Sequence, residues 1–172
     1  MANTYVKIAT VTVGGGGASD ITFTAISGTY TDLILRVSLR DNAASTRSIA
    51  KLTFNGSATG YSSIAAYGVS GTSTGSAAGG STYIDWTYAV GNTATASTFS
   101  NNDIYIPNYA GSQNKSVSID FTSENNSATV NILGIAAGLW SNSAAITSIT
   151  LTPSTPNFLQ YSTASLYGIL KS

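Results

Sequence analysis

Apolar and polar residues alternate along much of this chain. Leu33, Leu35, Val37 and Leu39 fall on one side of an extended segment, with Asp32, Arg36, Ser38 and Arg40 on the other; Ile34 is the one apolar residue on the polar side. Val117, Ile119 and Phe121 alternate with Ser116, Ser118, Asp120 and Thr122. Ile149 and Leu151 alternate with Ser148, Thr150 and Thr152, and Ile21 and Phe23 with Thr22 and Thr24. Successive side chains of a strand point to opposite faces, so this period of two predicts half-buried antiparallel strands. Turn residues separate the runs: Gly14 to Gly17, Asn55-Gly56, Pro107-Asn108, and Pro153 with Pro156. Gly and Asn reach positive φ cheaply, and Pro cannot donate to a ladder.

The predicted strands are 5–13, 20–25, 31–40, 48–54, 61–69, 82–90, 102–106, 115–122, 129–138, 146–152 and 163–170. Helix is nearly absent; Ile135 to Trp140 reads as a short turn. Many short strands at regular spacing predict an all-β fold, an antiparallel double-sheet β-sandwich of the jelly-roll type. The expectation is one domain over residues 1–172, with 1–17 as an N-terminal strand or arm hinged at Gly14–Gly17. The Gly/Ser/Thr/Ala stretch 70–81 (SGTSTGSAAGGS) reads as a flexible loop, or as one that orders against a neighbouring subunit.

Composition sharpens this picture. Hydrophobic residues make up 42% of the 172, enough for a core, while charged residues make up only 8%. The polar surface is therefore Ser, Thr, Asn and Gly. Seven basic and seven acidic residues cancel, which leaves no cationic footprint for nucleic acid. A weakly charged surface favours association. No run has the length of a membrane span, and the N-terminus lacks the pattern of a secretory signal.

Candidate chemistry is sparse. With no Cys and no His, disulfides, thiolate sites and the commonest general base and metal ligand are missing. No phosphate loop occurs. Asp85, Asp103, Asp120 and Glu124 are the acids a paired-carboxylate glycosidase would draw on, but nothing in their spacing selects a pair, and they read as strand-end and turn acids. Glu124-Asn125-Asn126 and Asn101-Asn102-Asp103 are oxygen-rich and read as turns rather than cation sites. Asn55-Gly-Ser57, Asn114-Lys-Ser116 and Asn125-Asn-Ser127 match the glycosylation sequon by chance in a Ser-rich chain. The chain is expected to be no enzyme and to need no cofactor or metal.

Ten Tyr, two Trp and five Phe are the stronger signal, because Tyr and Trp supply contact area with a polar tip. Core packing claims most of them, and protein contact comes next. Tyr83, Trp86, Tyr88 and Tyr109 are singled out as a subunit or ligand face. Tyr5, Val6, Ile8, Val11 and Val13 are singled out as a subunit or shell contact, since an edge strand can pair with another chain.

Several runs resemble small virion structural proteins of tailed bacteriophages, especially phages of aquatic bacteria. They are Asp20-Ile-Thr-Phe-Thr-Ala-Ile-Ser with Thr29-Tyr-Thr-Asp-Leu33, Lys51-Leu-Thr-Phe-Asn-Gly56, Ile104-Tyr-Ile-Pro-Asn-Tyr109, Lys115-Ser-Val-Ser-Ile-Asp120, and the stretch from Gly138 to Pro153 with Ser165-Leu-Tyr-Gly-Ile169. The resemblance spans nearly the whole chain and brings no catalytic residues. It implies a stand-alone jelly roll or the terminal domain of a fibre, made in the host cytoplasm and carried on the virion. The first expected role is a capsid decoration (cement) protein, a homo-oligomer (trimer) that binds the outer shell and bridges major capsid subunits. That role suits a chain whose strand pattern starts at about Tyr5 and leaves no room for an anchoring domain. The alternative is a receptor-binding tail-fibre or tail protein that recognises host surface glycan. A carbohydrate-binding module of an enzyme complex is the least supported, for want of a linker. No nucleic acid or membrane partner is expected.

Overall fold

The computed structural model describes residues 4–70, 72–126, 130–154 and 156–170. Residues 1–3 of the expected arm, Gly71 of the expected loop, Ser127 of the third sequon and Thr129 of an expected strand lie outside the described residues. The strands are β1 (Tyr5–Thr12), β2 (Ile21–Phe23), β3 (Asp32–Ser38), β4 (Arg47–Phe54), β5 (Tyr61–Val69), β6 (Thr72–Ser81), β7 (Ile84–Val90), β8 (Asn101–Pro107), β9 (Lys115–Ser123), β10 (Ile132–Trp140), β11 (Ile149–Pro153) and β12 (Thr163–Ile169). They form an antiparallel eight-stranded sheet, in the order β1-β12-β3-β8-β9-β10-β5-β6, and a four-stranded sheet, β2-β11-β4-β7.

This order is a jelly roll with two inserted hairpins. With β5, β6, β9 and β10 set aside, the first remaining strand pairs with the last, the second with the seventh, the third with the sixth and the fourth with the fifth. β12·β3 and β11·β4 complete the two sheets. That nested pairing is the double Greek key of the expected fold class. The β5–β6 and β9–β10 hairpins add to one side of the large sheet, through β9 on β8 and β10 on β5.

Alternation explains most of this. β9 reads KSVSIDFTS, with every odd position buried, and β3 buries Leu33, Leu35 and Val37. Asn55 and Gly56 take φ of 52° and 66°, as the Asn-Gly turn requires, and the Asn55 side chain pins the strand that follows β10 by accepting from Thr147 N (2.8 Å) and Ser148 N (3.0 Å). Two aromatic clusters bridge the sheets. Phe54 of β4 meets Tyr61 and Trp140, with Tyr61 and Trp140 stacked at 6.2 Å. Trp86 and Tyr88 of β7 meet Phe121 of β9, and Trp86 meets Tyr67 of β5. The inner face of β10 makes room for them: a Cβ on Gly138 would lie 2.9 Å from Ile84 Cγ2, and one on Gly134 would lie 2.7 Å from Phe121 Cζ.

Three expectations are corrected. Within 70–81, Thr72–Ser81 is not a loop but β6, paired with β5 from Val69↔Thr72 to Tyr61↔Ser81. Small side chains give a strand little to pack, but the neighbouring strand supplies the ladder hydrogen bonds whatever the side chains are. Ile135 to Trp140 is not a turn but the second half of β10, held between β9 and β5. The segment from Thr4 onward is not a detached arm, because β1 pairs along its length with β12 of its own sheet and Val13 N donates to Ser162 O at 2.8 Å.

Candidate interaction surface

The outer face of the large sheet is set by register. One row of cross-strand partners runs Tyr167, Ile34, Tyr105, Ser118, Ala137, Ile64 from β12 to β5, and the next runs Ser165, Arg36, Asp103, Asp120, Ile135, Ala66. β9 puts Ser116, Ser118, Asp120 and Thr122 outward, as a solvent-facing strand should. β10 does not. Its outward residues Leu133, Ile135, Ala137 and Leu139 are apolar, and so are its inward ones. Leu133 is 66% exposed, Ile135 62% and the neighbouring Ile64 of β5 59%. Single exposed apolar residues are ordinary, whereas a contiguous group marks a contact surface.

The patch is concave. A depression of about 480 Å³ is lined by Ala66, Gly68, Asp103, Asp120, Leu133 and Ile135 among others. A second, of about 450 Å³, continues along Ile64, Ala66, Ser118, Ile135 and Ala137. Among the described residues the only charges in their walls are Asp103 and Asp120, which face each other directly across β8 and β9. Arg36 Nε approaches Asp103 Oδ1 at 3.4 Å; among the described residues no ion pair reaches Asp120.

The residues singled out from the sequence lie elsewhere. Tyr5 is exposed at the β1 edge, Val6, Ile8 and Val11 are half-buried, and Val13 is in the core. The expected face of Tyr83, Trp86, Tyr88 and Tyr109 does not exist as a surface. Trp86, Tyr88 and Tyr109 are buried, the first two because β7 is the strand that covers the inner face of the inserted hairpins. Tyr109 donates through its hydroxyl to Ser27 O. Tyr83 alone is partly accessible, with Lys51 Nζ 5.3 Å from its ring centre. Of the four acids named, the fold brings Asp103 and Asp120 together and leaves Asp85 and Glu124 apart. Asn101-Asn102-Asp103 is strand rather than turn, and buried Asn102 ties the sheets by accepting from Tyr88 N (2.9 Å) and donating to Tyr88 O (3.0 Å). Glu124 does cap its own turn, accepting from Asn126 N at 2.7 Å. Among the described residues no three acids gather into a metal-ligating group. The signal that could have found the patch is the run ILGIAAGLW itself, apolar at both parities in a sheet with one wet face.

β7 carries a local irregularity. Its register on β4 shifts between Ala50 and Leu52, and Trp86 takes a φ of 81°. A bulky residue in the left-handed region is strained, and a bulge re-aims side chains. Here it turns Trp86 inward, where Nε1 donates to Ser63 Oγ at 3.0 Å. Burial pushes the neighbouring Asp85 carboxyl above its ordinary range, with Lys51 partly offsetting the shift. The folded chain then holds that proton more tightly than the unfolded one, so stability falls as pH rises through the ordinary carboxyl range toward the folded value. Asp85→Asn should flatten this stretch of the stability–pH curve and raise stability at neutral pH. Urea midpoints at pH 4 and pH 7 test it; a variant curve parallel to the wild type would remove Asp85 as the cause.

No protein-family model and no curated protein matches the chain. Among solved structures it is similar to the galectin LEC-6 of Caenorhabditis elegans, at 8% identity and a TM-score of 0.34 over 94% of this chain and 96% of that one.

Proposed function

We propose that this chain is a bacteriophage virion structural protein, a capsid decoration protein that binds the outer shell and bridges major capsid subunits. The observation that carries the reading is the exposed apolar face on the two inserted hairpins. The eight strands of the jelly roll already close the pairing on themselves. The insertions add a sheet region whose inner side extends the core and whose outer side, along β10 and β5, carries Leu133, Ile135, Ala137, Leu139 and Ile64. A broad, nearly uncharged sheet face suits another protein surface better than a small molecule, which prefers an enclosed cleft. The sequence resemblance to phage virion proteins supplies the biological setting.

Two measurements test the reading. Quantitative mass spectrometry of purified virions should count scores to hundreds of copies on the head; a handful at the tail would overturn decoration. In a binding assay with undecorated shells, Leu133→Ser with Ile135→Ser should weaken association at least about tenfold, the scale of a lost apolar anchor. Thermal unfolding of the variant should stay close to wild type, since both side chains are mostly exposed.

A receptor-binding role is the second reading, supported by the opposite end of the same face. Tyr5 and Tyr105 are exposed there, and Tyr105 donates to Asp32 Oδ2 at 2.8 Å. Exposed rings beside a carboxylate suit a sugar, and glycan arrays would detect it.

A further inference from the structure

We propose that the depression between β8, β9, β10 and β5 receives a partner protein segment that presents a lysine or arginine flanked by aliphatic side chains. This rests on the reading of the outer face as a protein-binding surface and names the chemistry of what binds. The argument is one of complementarity. Asp103 and Asp120 are direct cross-strand partners. Like charges so placed repel, with side chains roughly 5 Å apart at Cβ. Arg36 answers only Asp103, from the side away from β9, and both members of that pair are about half exposed. Two carboxylates against one guanidinium leave one negative charge on the wall of the depression. Beyond Asp120 the same row continues with Ile135 and Ala66, and the adjoining row holds Leu133 opposite Thr122. One cationic group can therefore sit between the carboxylates while its apolar neighbours cover Leu133 and Ile135. A purely aliphatic partner would leave Asp120 desolvated and unpaired, which is costly, and an acidic partner would be repelled. The long stem of a Lys or Arg lies well along exposed aliphatic side chains.

The test uses the full chain, isotopically labelled, in an NMR titration with two blocked pentapeptides, Ile-Thr-Lys-Thr-Ile and Ile-Thr-Glu-Thr-Ile. The lysine peptide is expected to shift the amides of Asp120, Thr122, Leu133 and Ile135, and the glutamate peptide to leave them in place. Asp120→Asn should weaken the lysine peptide about three- to fivefold, the range of an exposed ion pair, and 0.5 M salt should erase the difference between variants. Equal shifts from both peptides, or none at these amides, would overturn the inference. Shell binding separates this inference from the proposed function. Binding that is indifferent to Asp120→Asn keeps decoration and rejects the basic partner, whereas a peptide response without shell binding does the reverse.

Discussion

Trp140→Ala is expected to destabilise the protein by about 3–5 kcal/mol, the loss typical of a large aromatic removed from a core. Trp140 ends β10 and is 1% exposed. It packs on Tyr61 at 6.2 Å and on Phe54 at 5.7 Å, so its ring joins the inserted hairpins to the small sheet. The cavity cannot close by local collapse, because β10 is held on both sides by β9 and β5. For a chain of this size the loss corresponds to about 10–15 °C in melting temperature. Trp140→Phe should cost much less: the indole Nε1 has no hydrogen-bond partner among the described residues, so removing it sacrifices ring area but no bond. Urea unfolding followed by the fluorescence of the remaining Trp86 reads both variants. Equal losses for Ala and Phe would show that the indole edge, not ring volume, sets the stability here.

Arg40→Met is expected to cost about 2–4 kcal/mol, on the scale of several hydrogen bonds to a charged group that are lost together and do not add fully. Arg40 is 7% exposed. Its Nη1 donates to Thr95 O at 2.8 Å and Thr98 O at 2.9 Å, and Nη2 donates to Ala94 O at 3.2 Å. One guanidinium thus replaces the ladder that the segment between β7 and β8 lacks. Desolvation lowers its pKa, and the adjacent Asp41 raises it again. Met fills the stem volume and supplies no donors, so the three carbonyls lose the guanidinium, and Thr95 O keeps only the Thr98 Oγ1 bond at 2.7 Å and a long one from Thr98 N. Arg40→Lys should restore only part of the loss, because an ammonium cannot match the planar fork. Amide exchange should accelerate in residues 94–98 ahead of the rest of the chain. Unchanged exchange there would mean that the loop is held by its own backbone bonds.

Lys115 follows the same logic at the other end of the sandwich. It is 1% exposed, its Nζ donates to Gly111 O at 2.8 Å and to Gln113 O, and burial lowers its pKa. These two cations look like surface residues in the sequence: Arg40 continues the polar side of the β3 alternation, and Lys115 starts a strand. The alternation of β3 ends at Ser38, after which Leu39 and Arg40 are both buried. A parallel bridge there between Arg40 and Val90, with Leu39 O and Asp41 N bonded to Val90, turns Arg40 inward.

What the sequence determined by itself is most of the strands and the class of fold. Period-two alternation in β3, β9 and β11 decides which side chains face the core, because burying either parity alone is the only way to hide those apolar residues. Asn55-Gly56 and the prolines mark where strands stop, since their backbone preferences act locally. Tertiary structure decided the rest. β6, and β10 beyond the expected end at residue 138, are strand because a neighbour offers each a ladder, and side-chain composition cannot report a partner that lies far along the chain. The aromatics of β7 are core because the inserted hairpins lie across from them. Asp103 and Asp120 meet because β8 and β9 pair in that register, and a shift of one residue would send them to opposite faces. The apolar outer face of β10 is exposed because the four-stranded sheet covers only one side of the eight-stranded one.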